Sequence, residues 1–340
     1  MSMNRYSRQS LFTPIGEAGQ KKLRGKHVLV IGMGALGTQS SEALTRAGIG
    51  KLTLADRDYV EWSNLQRQQL YSEADAEARI PKAVAAKEHL HNINSDVDIS
   101  AHIADVGPEE LDQLVPDVDL ILDSTDNFDI RLMVNDAAVK FNVPWIYGSC
   151  VGSYGMSYTI LPGETPCLNC LLGKIPTGGP TCDTAGIIQP ASSQVVVLQI
   201  AEALKILTEN KAKLRRKLIT FDVWENQHVE MNVDPMKKTD CPTCGPDASY
   251  PYLQYEQQMK TAVLCGRESV QIRPPQIEER DLGQLAERLE KTGGKVKTNP
   301  FLLSFVIDEE RMVMFKDGRA LIHGTNDREK ARTLYHRYLS

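Results

Sequence analysis

The sequence predicts an α/β protein built on a mainly parallel sheet, and three observations carry that prediction. First, apolar β-branched runs alternate with helix-like segments from Val28 to Ser149, the pattern of repeated βαβ units. Second, the run Val28-Leu29-Val30-Ile31 leads directly into Gly32-Met33-Gly34-Ala35-Leu36-Gly37, a G-x-G-x-x-G turn that opens a helix. Third, Ser153 to Leu161, Leu218 to Trp224 and His228 to Val233 read as later, antiparallel strands that extend the sheet. From about Thr261 the texture changes to short strands and helices, a small C-terminal α+β domain. The expected division is residues 1–260 and 261–340.

The glycine turn has a physical reading. Gly32 allows the tight turn, Gly34 lets backbone N–H groups approach phosphate, and Gly37 lets the helix pack close to the strand. Phosphate then meets the helix N-terminus, where N–H groups and the dipole favour an anion. The second strand ends at Asp56, at the spacing expected of a ribose-hydroxyl ligand. This Rossmann-like cradle alone points to an adenine nucleotide, and first to a dinucleotide oxidoreductase.

Composition narrows the class. The chain has 340 residues, 41% hydrophobic and 24% charged, which excludes wholesale disorder. A net charge of −5 argues against nucleic acid or an anionic membrane as partner. No apolar run approaches the roughly 18 residues of a membrane span, and Met1 to Leu11 has no signal-peptide pattern, so the expected location is cytoplasmic. Four of the seven cysteines form two C-x-x-C pairs, Cys167/Cys170 and Cys241/Cys244. In a reducing compartment such pairs wrap thiolates around tetrahedral zinc, and four thiolates leave no open position, so the zinc is expected to be structural.

Taken in order, the remaining elements hold several candidates. Arg5-Tyr6-Ser7-Arg8-Gln9 lies in a helical N-terminal stretch, where arginines ordinarily form a solvated face. Pro81 suits a first helical turn and puts Lys82 at a helix N-terminus, a poor place for a cation unless an anion meets it. A buried strand, Val118 to Asp123, ends in Ser124-Thr125-Asp126-Asn127, at the sheet edge where ligands bind; Asp126 there is a helix cap or a ligand. Residues 173–186 are rich in Gly, Pro and Thr and read as a loop carrying Cys182, either a reactive or an inert thiol. Cys150 reads as packed core, Ser192 to Thr208 as an apolar helix for core or dimer contact, and His228 as structural.

Asn64-Leu65-Gln66-Arg67-Gln68 changes the oxidoreductase reading, because it places an amide and a guanidinium where hydride transfer needs neither. With the glycine turn, Thr125-Asp126-Asn127 and the cysteine pairs, it makes residues 4–245 resemble the ThiF/MoeB/HesA family of ubiquitin-activating-like adenylyltransferases. The resemblance implies ATP-dependent adenylation of the C-terminal Gly-Gly carboxylate of a small ubiquitin-like sulfur-carrier protein, for thiamine-thiazole or molybdopterin biosynthesis. It implies nucleotide contacts from Gly32, Gly34, Gly37, Asp56, Asn64, Arg67, Gln68, Lys82, Asp126 and Asn127. Asp126 would hold Mg²⁺, Lys82 and Arg67 the phosphates, and Arg8 the nucleotide of a neighbouring subunit in a homodimer. Cys182 would be the candidate covalent acceptor, with a cysteine desulfurase or another donor supplying sulfur. Some relatives carry a rhodanese domain after the first; Cys265-Gly266-Arg267-Glu268-Ser269-Val270-Gln271 lacks the arginine that would close such a loop, so that assignment is rejected. The alternatives are a nicotinamide-dependent oxidoreductase and a non-catalytic nucleotide-binding scaffold.

Overall fold

The computed structural model describes residues 5–171, 185–254, 260–264, 269–273, 279–307 and 310–339. The chain divides into two compact units, Met1–Tyr255 and Glu256–Ser340.

The first unit is built on eight strands: β1 His27–Ile31, β2 Lys51–Asp56, β3 Asp98–Ile103, β4 Leu120–Asp123, β5 Trp145–Val151, β6 Tyr154–Ile160, β7 Lys217–Asp222 and β8 Gln227–Asn232. Their order in the sheet is β3-β2-β1-β4-β5-β6-β7-β8. The first five run parallel, and β5 to β8 pair antiparallel. Because β1 pairs with both β2 and β4, the order reverses beside it. The crevice outside the carboxyl ends of β1 and β4 is therefore the switch point where ligands of open α/β sheets bind. β1 and β4 are buried almost without interruption, since helices cover both faces, and that is why they read as continuous apolar runs. β8 is the exposed edge, with all six residues open to solvent.

Two helices set the geometry of the crevice. Ala35–Ala47 follows the glycine turn and ends at Gly48, against which the Tyr6 ring packs. Gln189–Leu207 starts three residues earlier than the apolar pattern indicates, because Pro190 occupies its first turn, where a missing N–H costs nothing. From inside that helix, buried Gln199 donates from Nε2 to Asp123 O at 2.8 Å and Ile146 O at 3.2 Å, tying β4 to β5.

The second unit is a six-stranded antiparallel sheet: β9 Lys260–Leu264, β10 Ser269–Arg273, β11 Lys295–Thr298, β12 Leu302–Ile307, β13 Glu310–Phe315 and β14 Ala320–His323, in the order β11-β12-β13-β14-β10-β9. Alternate residues Val270, Ile272, Leu303, Phe305, Met312, Met314, Ala320 and Ile322 meet Leu285 and Leu289 of one helix and Ala331 of another. β9 and β11 stand at the two edges of this sheet. Lys295-Val296-Lys297-Thr298 has no buried residue, so it lacks the apolar face that would announce a strand.

Candidate nucleotide site and four-cysteine cluster

The cradle sits at the switch point. Gly32 has φ +92°, and a Cβ there would lie 2.5 Å from Ser124 O; a Cβ on Gly37 would lie 1.9 Å from Gly32 O. Both positions therefore require glycine, for backbone conformation and for close approach respectively. Gly34 differs: a Cβ there would meet only Gln68 Nε2, at 3.8 Å. It caps Ala35–Ala47 with no side-chain cap, so the helix N-terminus is left to an anion or water. Beside it, Gln68 Oε1 and Ser124 Oγ are buried without a hydrogen-bond partner among the described residues. Orphaned polar atoms around an uncapped helix end fit a bound nucleotide.

The acidic end of β2 is tied to this turn. Asp56 accepts hydrogen bonds from Met33 N and Asp58 N, each at 2.6 Å. Burial pushes its carboxyl pKa up, and nearby Lys82 pulls the other way. Tyr71 Oη donates to Met33 O at 2.7 Å and to Lys82 O at 3.2 Å, joining the glycine turn to the Lys82–Ile93 helix. Lys82 itself is buried, and the anion it meets within the chain is Asp58, 3.4 Å away.

Asn64 closes a 3₁₀ turn, Trp62–Asn64, and its Oδ1 accepts from Glu61 N at 3.0 Å in a capping box. Its backbone oxygen accepts from Arg67 N and Gln68 N. Asn64 and Gln68 are buried, whereas Arg67 is half-buried and donates to Ser63 O at 2.9 Å.

Asp126 is exposed just beyond β4. The helix cap that spacing left open to it is Asn127, whose Oδ1 accepts from Asp129 N at 2.8 Å and Ile130 N at 3.4 Å. Beneath this loop, Arg131 Nε lies 3.0 Å from Asp123 Oδ2, and Nη2 donates to Thr125 O and Gly148 O. Burial pushes the Asp123 carboxyl up, and Arg131 opposes that shift.

Two residues near the site had not been singled out from sequence. Arg57 pairs with Asp105 at 3.2 Å and lies 3.9 Å from Asp58. Burial would lower its pKa, but Asp105, Asp58, Asp126 and Asp56 hold it above the ordinary value. Asp58 is the second. The repeated Asp56-Arg57-Asp58 alternation was the available signal.

Arg8 is not brought to this cradle. It is exposed on the short helix Ser7–Leu11. Tyr6 and Gln9 fix that segment at the far end of Ala35–Ala47: Tyr6 packs on Gly48, and Gln9 Nε2 donates to Ala47 O at 2.9 Å. Thirteen residues at about 1.5 Å each separate the helix ends by about 20 Å.

The four C-x-x-C sulfurs converge. All lie within 4.8 Å of one another, with Cys167–Cys170 at 3.8 Å, Cys167–Cys241 at 3.6 Å and Cys170–Cys244 at 3.5 Å. A tetrahedron with metal–sulfur bonds of about 2.3 Å has edges of about 3.8 Å, so the thiolates fit a metal ion. The knuckles are clamped to the Phe128–Lys140 helix. Thr243 Oγ1 donates to Asp136 Oδ1 at 2.6 Å, Tyr252 N donates to Asp136 Oδ2 at 2.8 Å, and Leu168 N donates to Asn135 Oδ1 at 2.7 Å. Cys182 and Cys265 lie outside the described residues.

Sheet order, switch-point cradle and flanking cations define a nucleotide-binding α/β protein with an added four-cysteine cluster of metal-site geometry. The chain belongs to the ThiF family, which matches residues 6–243. It is 53% identical over 335 residues to a Bacillus subtilis (strain 168) protein named sulfur carrier protein ThiS adenylyltransferase, covering 98% of this chain and 99% of that one. The Escherichia coli K12 molybdopterin-synthase adenylyltransferase is 35% identical over 245 residues, 72% of this chain and 96% of that one. Among solved structures, E. coli MccB with ATP superposes with a TM-score of 0.62 and 27% identity, covering 71% of this chain and 74% of that chain. No helix among the described residues is long and apolar enough to cross a membrane.

Two stability outcomes follow from this geometry. Gly37→Ala should lower the unfolding free energy from urea titration by at least about 2 kcal/mol, whereas Gly34→Ala should stay within about 1 kcal/mol of wild type. Arg131→Met strands a buried carboxylate and should cost about 3–5 kcal/mol in the same titration. A wild-type midpoint for either Gly37→Ala or Arg131→Met would contradict the packing described.

Proposed function

We propose that this protein uses ATP to adenylate the C-terminal Gly-Gly carboxylate of a small ubiquitin-like sulfur-carrier protein. The carrier oxygen attacks the α-phosphorus, pyrophosphate leaves, and a carrier acyl-adenylate forms. The observation that carries the reading is the match to the ThiS adenylyltransferase along both entire chains, the C-terminal unit included. That relative is 53% identical, against 35% for the molybdopterin-synthase adenylyltransferase, which favours a ThiS-like carrier and thiamine-thiazole biosynthesis.

A carboxylate is already a competent nucleophile near neutral pH, so the site needs alignment and charge neutralisation more than a base. In this reading the glycine turn and the uncapped helix end hold phosphate, Asp56 binds the ribose, and Gln68 and Asn64 orient phosphate or the incoming carboxylate. Arg67 and Lys82 face the phosphates. Asp126, freed from capping by Asn127, would hold Mg²⁺, which lowers the negative charge repelling the nucleophile. Arg8, on a segment held at the far end of the roughly 20 Å Ala35–Ala47 helix, serves the neighbouring subunit's site in a homodimer. The four cysteines hold structural zinc. A persulfide from a cysteine desulfurase or another donor, directly or carried on Cys182, then attacks the acyl carbon and expels AMP; a second thiol cleaves the resulting acyl disulfide, forming a new disulfide with the donor sulfur and leaving a thiocarboxylate on the carrier. The net charge of −5 fits a cytoplasmic protein with neither nucleic acid nor membrane as its partner.

ATP–pyrophosphate exchange with purified ThiS-like and MoaD-like carriers tests the reaction; absence of exchange with every Gly-Gly carrier would refute it. Arg67→Ala and Asp126→Ala should abolish exchange, and Cys182→Ser should leave it intact. Neither Arg8→Ala nor Arg67→Ala alone should be active, yet equal mixing and re-association should restore about a quarter of wild-type activity, since half the dimers then carry one intact site. No recovery would exclude Arg8 acting in trans. Elemental analysis should find one zinc per chain, and Cys170→Ser should lose it together with several degrees of melting temperature; full occupancy in that variant would rule out the four-thiolate site.

A further inference from the structure

The proposed chemistry leaves the Asp58 carboxylate without a part. Its Oδ2 lies 3.4 Å from the Lys82 ammonium, and its Oδ1 lies 3.9 Å from Arg57 Nε. Arg57 Nη1 is in turn 3.2 Å from Asp105 Oδ1, in the segment that follows β3. Charges thus alternate in a row, Asp105, Arg57, Asp58, Lys82, from the end of β3 across the end of β2 to the first turn of the Lys82 helix.

The backbone fixes the Asp58 end of that row independently of the side chains. Lys82 N donates to Asp58 O at 2.9 Å, Tyr59 pairs with Pro81 in an antiparallel bridge, and Val60 N donates to Ile80 O at 2.9 Å. Lys82 is only 3% exposed and stands at the positive end of its own helix, so its ammonium needs a resident anion. Asp58 is the anion in ion-pair contact with it, and Asp56 at the end of β2 acts on it as well. Asp58 also adds a negative charge beside a site read as binding a polyanion, which opposes nucleotide binding.

We infer that Asp58 is a positioning residue: it holds the Lys82 ammonium at the cradle until nucleotide phosphate replaces it, while Arg57, anchored by Asp105, retains the released carboxylate. This rests on the reading of Lys82 as a phosphate ligand. Asp58 therefore weakens ground-state binding of ATP and speeds its reaction, two effects that removal of its charge should separate.

The test uses the full-length protein. Dissociation constants for ATP and for AMP are measured by calorimetry with Mg²⁺, and kcat by pyrophosphate exchange with the carrier. Asp58→Asn should bind ATP about 3–10-fold more tightly, leave AMP within about twofold, and lose about tenfold or more in kcat. Asp58→Glu should keep the wild-type ratio of ATP to AMP affinity. Equal shifts for ATP and AMP, weaker ATP binding or an unchanged kcat in Asp58→Asn would overturn the inference. If Asp58→Asn does not fold, Arg57→Gln decides by the opposite sign: with Asp58 left to Lys82 alone, ATP should bind about 3–10-fold more weakly and AMP nearly as before. Tighter or unchanged ATP binding there would refute the retention of Asp58. Lys82→Met separates the two levels, since an unchanged ratio of ATP to AMP affinity in that variant would remove the phosphate role of Lys82 itself.

Discussion

The buried pair between Arg131 and Asp123 holds the floor of the site. Neither group is accessible, and each would carry a large desolvation penalty alone. Together they fix three pieces of backbone: the end of β4 through Asp123, the loop before Asp126 through Thr125 O, and β5 through Gly148 O. Gln199 reinforces the same strand ends from the long helix beneath. This floor anchors the loop that carries the exposed Asp126, and it presents Ser124 O to Gly32, the glycine of the turn whose positive φ disfavours a side chain. The glycine turn is usable as a phosphate cradle because something stiff stands opposite it.

Much of this was legible in the sequence because the relevant signals are local. Glycine spacing, continuous apolar strands and paired cysteines each specify their structure within a dozen residues, and the eight-stranded sheet follows from them. Two kinds of feature were not legible. The edge strand β11 carries no buried face, so periodicity has nothing to register there. Tertiary pairing of charges was the other. Lys82 reads in sequence as a cation in need of an anion, and only the fold shows Asp58 beside it. Arg57 went unnoticed for the same reason, since its partners come from the ends of β2 and β3. The cap at the Phe128–Lys140 helix resolved between two adjacent residues, Asp126 and Asn127, that spacing alone could not separate.

The site is also more acidic than a phosphate-binding crevice needs to be. Asp56, Asp58, Asp105 and Asp126 surround Arg57, and burial raises the Asp56 carboxyl. Such a balance makes nucleotide recognition depend on compensation by cations rather than on a net positive field. Selectivity then rests on geometry, because a phosphate chain placed wrongly meets a carboxylate instead of a lysine.

The cysteine knuckles have a consequence for the chain as a polymer. Cys167 and Cys241 are 74 positions apart, as are Cys170 and Cys244, and a metal ion held there would join all four. Everything between them, including the long helix and the β7–β8 hairpin, would then become a closed ring. A covalent cross-link of that span removes about 4 kcal/mol worth of unfolded-chain entropy on the loop-closure model, and a tightly held ion acts in the same sense. The added half of the sheet would in this way be fastened to the nucleotide-binding half by topology as well as by packing.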